Sequence, residues 1–229
     1  MSDTVFQALA LIVPLILAIV FHEVAHGYVA MLLGDPTAKD QNRLSLNPFR
    51  HVDPIGTVVL PGILALIKAP IFGWAKPVPV NKWRLKNPRY GMMAVAIAGP
   101  GSNLLLAAVG AVLLGLMFRV WGGQPATPLL LFVAMNFQNF LLINIFLALF
   151  NLLPIPPFDG SHVVEGLLPR SAVPAYARLR PIGLPLMIVL LIVIPSLVPG
   201  FDLIGRFVLP PVQWATGHYM ALAQAVAGI

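Results

Sequence analysis

Phe21-His22-Glu23-Val24-Ala25-His26-Gly27 sets two histidines four residues apart, with a glutamate beside the first. On a helix, positions i and i+4 share a face, so His22 and His26 can offer two imidazoles to one tetrahedral metal. Glu23 stands next to the first of them and can take a proton from water that such a metal activates. The same spacing arises by chance in soluble helices. Here the flanking residues are apolar, and a Glu with two His inside a membrane helix is costly to bury and marks function. The chain has no Cys, which removes thiolate ligands and thiolate nucleophiles together. Any metal must then be held by His and carboxylate.

A third ligand is needed, and the acids are few. Besides Glu23 they are Asp3, Asp35, Asp40, Asp53, Asp159, Glu165 and Asp202. Asp159 follows a long uncharged run and sits in Asn151-Leu-Leu-Pro154-Ile-Pro156-Pro157-Phe158-Asp159-Gly160. Prolines at that spacing unwind a helix end, and irregular backbone at membrane depth is tolerated where it is buried in protein or lines a wet cavity. A carboxylate on such a turn can be aimed at a metal. The same residues also read as a Pro-rich helix stop with a capping Asp. Glu165 is the alternative third ligand, although it should lie on a helix beyond the turn. Asn151, about two turns before Asp159, is a candidate to hydrogen-bond substrate backbone or an oxyanion, or else satisfies backbone freed by Pro154. Asn103 is a weaker candidate for the same role and, like Asn144, reads more simply as a helix-packing amide. His162 is expected to support or gate the site, His51 to be a solvated loop histidine, and His218 has no evident partner.

The elements that must carry these residues belong to a membrane. Of 229 residues, 59% are hydrophobic and only 10% charged, and the mean hydropathy is +0.88. A soluble domain carries about a quarter charged residues, so this chain cannot cover itself with a polar surface. The fold class expected is an all-α polytopic membrane protein. A span needs about 20 apolar residues, and the charge-free windows supply about five: Thr4–Leu33, Tyr90–Phe118, Leu129–Leu153, Pro181–Val198, and Leu203 to the C-terminal region. Gly34-Asp35-Pro36 should close the first. The stretch 55–72 is apolar but broken by Gly and Pro, and is expected to be re-entrant or interfacial. The basic run from Trp74 to Lys86, with Pro77 and Pro79 alternating with Val78 and Val80, reads as extended chain at the interface, Trp74 and Trp83 lying at headgroup level. The N-terminus carries an acid and no base, which predicts a retained first helix and no cleaved signal peptide.

Topology follows from the bases. With 55–72 not crossing, Lys39, Arg43, Arg50, Lys68, Lys76, Lys82, Arg84, Lys86, Arg89, Arg170, Arg178 and Arg180 share one side, 12 of the 14 Lys and Arg. That side is then cytoplasmic, with the N-terminus outside and the C-terminus inside. His26 would lie roughly 10 Å inside the cytoplasmic end of its helix. Two further spans return Asp159 to that same face, whereas a crossing 55–72 would send it to the other. The net charge of +6 is explained by these loops, and no nucleic acid is expected as a partner.

His22-Glu23-x-x-His26, Ala98-Gly99-Pro100-Gly101-Ser102-Asn103 and Asn151-x-x-Pro154 with Asp159-Gly160 together resemble the site-2 protease family of intramembrane zinc metalloproteases. The likeness covers roughly residues 15 to 165. It implies one zinc ion held by His22, His26 and Asp159, Glu23 as general base, and cleavage of a substrate's transmembrane helix near the cytoplasmic face, often releasing a regulatory fragment. No stretch reads as a PDZ or CBS module, so a compact member is expected: a single integral-membrane protease domain over 1–229, with a catalytic core about 4–165 and C-terminal helices about 181–227. Where the family often carries Gly-Gly-Arg after the Asp, this chain has Gly160-Ser161-His162. The partners implied are a transmembrane-helix substrate and the lipid bilayer, in a prokaryotic plasma membrane, with the oligomeric state left open. The extended 76–80 stretch, or 55–72, is expected to pair with unwound substrate backbone by strand addition. The competing classes are a membrane transporter or metal permease, disfavoured by the absence of an inverted repeat and by polar groups gathered at one depth, and a scaffold that has lost activity, disfavoured by an intact Glu23.

Overall fold

The computed structural model describes residues 3–66, 73–123, 127–198 and 200–229. Four of its helices are long and apolar enough to cross a membrane: α1 (Asp3–Leu32), α2 (Pro88–Trp121), α3 (Pro128–Asn151) and, after the short α4 (Gly160–Leu167), the interrupted α5 (Val173–Leu197). Among the described residues there is no strand. The chain is an all-α polytopic membrane protein.

Local chemistry explains the ends. Gly34, at φ +107°, turns the chain out of α1, and the Asp35 amide closes the turn by donating to the Ala30 carbonyl at 2.9 Å. The Asn87 side chain accepts from the Tyr90 amide to start α2, and Thr127 accepts from Leu130 to start α3, each with proline at the first helical position. Both helices begin slightly earlier than expected. The fourth span starts eight residues before the expected Pro181, at Val173, so Arg178 and Arg180 fall inside its head. Pairing of Arg180 with Glu165 of α4 lowers the cost of that placement.

The fifth expected span is helical as well. It runs as Ile204–Val208 and then α6 (Leu209–Ala227). Arg206, Gln213, Thr216, His218 and Gln224 make it more polar than the other four, and it falls outside the set that length and composition mark as spans. Of the stretch 55–72, the described part is a short apolar helix from Pro54 to Leu66, opened by the Asp53 carboxylate accepting from the Ile55 and Gly56 amides at 3.0 and 2.7 Å. That is too short to span. Residues 67–72 lie outside the described residues.

Helices α1, α2, α3 and α6 pack into one bundle around small side chains. Ala107 and Ala111 of α2, Leu141 and Ile145 of α3, and Ala215 and Ala223 of α6 form the main core. Without a hydrophobic drive between helices in lipid, close backbone approach and interhelical hydrogen bonds hold such bundles together. Gly110 lies against the Leu141 backbone, and Gly115 leaves no room for a Cβ beside Ala223. Asn139 donates to the Ala10 carbonyl at 2.8 Å, and the Tyr219 hydroxyl to Leu104 at 3.0 Å. Leu9, Leu11, Ile12, Val13, Ile16 and Leu17 of α1 stay exposed, as a lipid-facing surface requires.

Candidate metal centre

His22 and His26 project from the C-terminal half of α1 toward α2. At their point of contact α2 carries Gly99, where any Cβ would collide with both imidazoles. The Ala98–Asn103 motif therefore acts sterically, letting a helix backbone pass directly behind two ring side chains.

Each ring is oriented from behind. Asn103 donates through Nδ2 to the Ala18 carbonyl at 3.1 Å and to Asn144 Oδ1 at 2.7 Å, so its Oδ1 is an acceptor. His22 Nδ1–H accordingly donates to it, at 2.6 Å. Asn144 in turn donates to Phe140 at 2.7 Å. His26 Nδ1–H donates to the Val95 carbonyl at 2.7 Å. With Nδ1 donating in each ring, the two Nε2 atoms are left to face one point, 3.0 Å apart.

Asp159 completes the convergence. The backbone after α3 turns repeatedly through Pro154, Pro156 and Pro157 and seats Asp159 immediately before α4, but its side chain caps nothing. Gly160 makes the turn possible, since a Cβ there would strike the Leu152 carbonyl. Asp159 Oδ2 lies 3.1 Å from His22 Nε2 and 3.3 Å from His26 Nε2. It is buried and has no hydrogen-bond partner. Three possible ligand atoms thus face one another within 4.8 Å. Such a cluster fits a divalent cation, with a chemistry of two imidazoles and a carboxylate suited to zinc.

The remaining expected residues fall as follows. Glu23 Oε2 accepts from the Val78 amide at 2.8 Å. Glu165 is bound to Arg180 and lies outside the donor cluster. Asn103 is fully buried behind His22 with its amide spent on Ala18 and Asn144. Asn151 donates to Leu147 in its own helix at 2.9 Å. His162, one turn past Asp159, accepts at Nδ1 from Arg180 at 3.2 Å. Burial first, and then the Arg180 charge, push its pKa down to about 4, so it is neutral at pH 7.

Two histidines differ from expectation. His51 is buried: Nε2 donates to the Ser45 carbonyl at 2.7 Å, and its own carbonyl accepts from Lys76 at 2.8 Å. His218 donates to the Trp214 carbonyl at 2.8 Å and lies against that indole. The extended 76–80 segment is no strand. It is strapped across α1, with the Lys76 carbonyl accepting from Arg43 at 2.7 Å and the Asn81 amide donating to the buried Asp35 at 2.6 Å. The Val78 donor that strand addition would use is on Glu23 instead. Sequence reasoning misses this strap and the Asn103–Asn144 relay; their signals are the alternating prolines and the isolated amides in apolar runs.

A family model described as Peptidase family M50 matches residues 129–194. A Bacillus subtilis protein, YwhC, provisionally named a zinc metalloprotease, is 45% identical over 159 residues, 69% of each chain. Rip2 of Mycolicibacterium smegmatis, named in the same way, is 28% identical over 77% of this chain and 64% of its own. A similarly named protein of Methanocaldococcus jannaschii is 42% identical over 71 residues, 31% of this chain and 32% of its own. No solved structure matches significantly.

Proposed function

The chain belongs to peptidase family M50 and is a membrane-embedded zinc metalloprotease, and from that premise we propose that it hydrolyses peptide bonds within or near transmembrane segments of membrane-protein substrates. The observation that carries the reading is the meeting of His22 Nε2, His26 Nε2 and Asp159 Oδ2 at one buried point, with Glu23 beside them on α1.

In this reading His22, His26 and Asp159 hold one zinc ion per chain. Zinc held there supplies a Lewis acid that polarises a peptide carbonyl and makes water easier to deprotonate at neutral pH. Glu23 takes the proton of the attacking water and returns it to the leaving amine. The Val78 amide holds the Glu23 carboxylate in one orientation, so that it need not reorganise as the proton arrives. Asn103 and the Val95 carbonyl keep both imidazoles in the tautomer that frees Nε2. Asn151 closes the end of α3. Residues 1–229 act as a single domain, with the catalytic core about 4–165.

The similarity to bacterial relatives supports a prokaryotic cell membrane, and the charge distribution supports the N-terminus outside, the C-terminus cytoplasmic and the site near the cytoplasmic face, where cutting would release a regulatory fragment. The proposal is tested by zinc content and by cleavage of a transmembrane reporter peptide, both measured on detergent-purified protein. About one zinc per chain and turnover in the wild type, both lost in folded His26→Ala and Asp159→Ala and both kept in Glu165→Ala, are expected. A folded wild type that binds no zinc would overturn the proposal and favour a permease.

A further inference from the structure

A cavity of about 150 Å³ opens beside the metal cluster, lined by Lys82, Trp83, Arg89, Met92, His162 and Arg180 among others. It lies one helical turn away on two elements. His162 is three residues past Asp159 on α4, and Met92 is three before Val95, whose carbonyl holds His26.

The lining is strongly positive. Lys82, Arg89 and Arg180 oppose the single carboxylate Glu165, three charges against one. Glu165 is already spent on Arg180, and His162 adds no charge at pH 7. Lys82 has no ion pair among the described residues and stands 4.9 Å over the Trp83 ring. Arg89 donates to the Gly166 and Leu168 carbonyls, while its buried Nε has no partner. An uncompensated excess of positive charge around a space of about five waters fits an anion with several acceptor oxygens.

Depth identifies the anion. Pro88 and Val173, the first residues of α2 and α5, also line the cavity. Two spans begin at its walls, so it sits where hydrocarbon meets water and where headgroup phosphates are concentrated. Trp83, 76% exposed at its rim, is the aromatic type that resides at that level. Basic pockets between spans on the base-rich side suit anionic headgroups.

We propose that this cavity binds the phosphate of an anionic phospholipid, seating a lipid one helical turn from the metal cluster. The proposal does not depend on the protease chemistry, and its test reads lipid directly. The purified full chain is reconstituted in an equal mixture of phosphatidylcholine and phosphatidylglycerol, re-extracted, and its retained lipid measured by mass spectrometry.

Phosphatidylglycerol should be retained in preference to phosphatidylcholine. Each base near an anionic surface is worth about fivefold in affinity. Lys82→Gln should therefore lower retention about fivefold and Lys82→Glu more, while the exposed Lys86→Glu, outside the cavity, should lower it less than Lys82→Glu does. Melting temperatures of the variants confirm that they are folded. Equal retention of both lipids, or equal loss with Lys86→Glu, would overturn the proposal. Displacement of the lipid by millimolar inorganic phosphate would reassign the cavity to a free anion. Lys82-dependent binding of an acidic juxtamembrane peptide, without lipid preference, would reassign it to substrate.

Discussion

As proposed zinc ligands, His22 and His26 depend on what stands behind them. Removing the Asn103 acceptor leaves a buried His22 N–H unsatisfied and frees the ring to change tautomer. Asn103→Ala is expected to weaken zinc binding about 10- to 100-fold, read by chelator competition, with Asn144→Ala moving it in the same direction by less. Glu23→Gln keeps an oxygen for the Val78 amide and so keeps the strap in place. It should retain zinc and lose about 10²- to 10⁴-fold in turnover, the usual worth of a general base. His162 carries a pH signature. Its folded pKa of about 4 lies below the unfolded value, so the unfolded chain binds the extra proton between roughly pH 6.5 and 4 and stability falls as pH drops through that window. The melting temperature of His162→Gln should fall less than that of wild type between roughly pH 7 and 5; an identical slope would mean that His162 does not titrate this way.

At the scale of elements, α2 is the backbone of the site. Gly99, Gly110 and Gly115 bring it against α1, α3 and α6 in turn. Gly99→Ala inserts a Cβ into both imidazoles, and the strain expected is about 1–3 kcal/mol. Because the rings must move to relieve it, metal binding should fall more than the melting temperature does. The strap matters through one atom. Val78→Pro deletes the amide that holds Glu23, whereas Val78→Ala keeps it, so turnover should drop in the first variant and largely survive in the second. The helices themselves are legible in the sequence: apolar length sets three of the four spans to within a few residues, and Gly34 marks the end of the first, whereas the Asn87 and Thr127 caps emerge only from the structure. The start of α5 is not, because Arg178 and Arg180 look like loop residues until Glu165 stands opposite Arg180. The fifth span is also harder to read, since Ile204–Ala227 is helical but moderately polar.

For the whole molecule, the base count argues that the site opens toward the cytoplasm. The chain has no Cys, so single cysteines report cleanly. Val120→Cys, at the far end of α2, should react with an impermeant maleimide on intact cells. Arg170→Cys and Ile229→Cys, all three positions being exposed, should react only after lysis. Labelling of Arg170→Cys on intact cells would invert the topology and place the cluster near the outer face. Labelling in the expected pattern would also put the basic cavity against the cytoplasmic leaflet, where anionic lipid is enriched.

Composition and spacing alone determined that this is a helical membrane protein with a two-histidine helix face, because apolar length and the i, i+4 period are properties of a local chain. They also kept Asp159 and Glu165 both in play as third ligand. The tertiary structure separated them: the Pro-rich turn carries Asp159 onto the two imidazoles without using its side chain as a cap, while Glu165 is held by Arg180. It also turned Asn103 from a candidate substrate contact into the partner of His22, and the strap from a candidate strand into the holder of Glu23. Those choices join residues far apart in the chain, where a hydrogen bond depends on distances that no local pattern encodes.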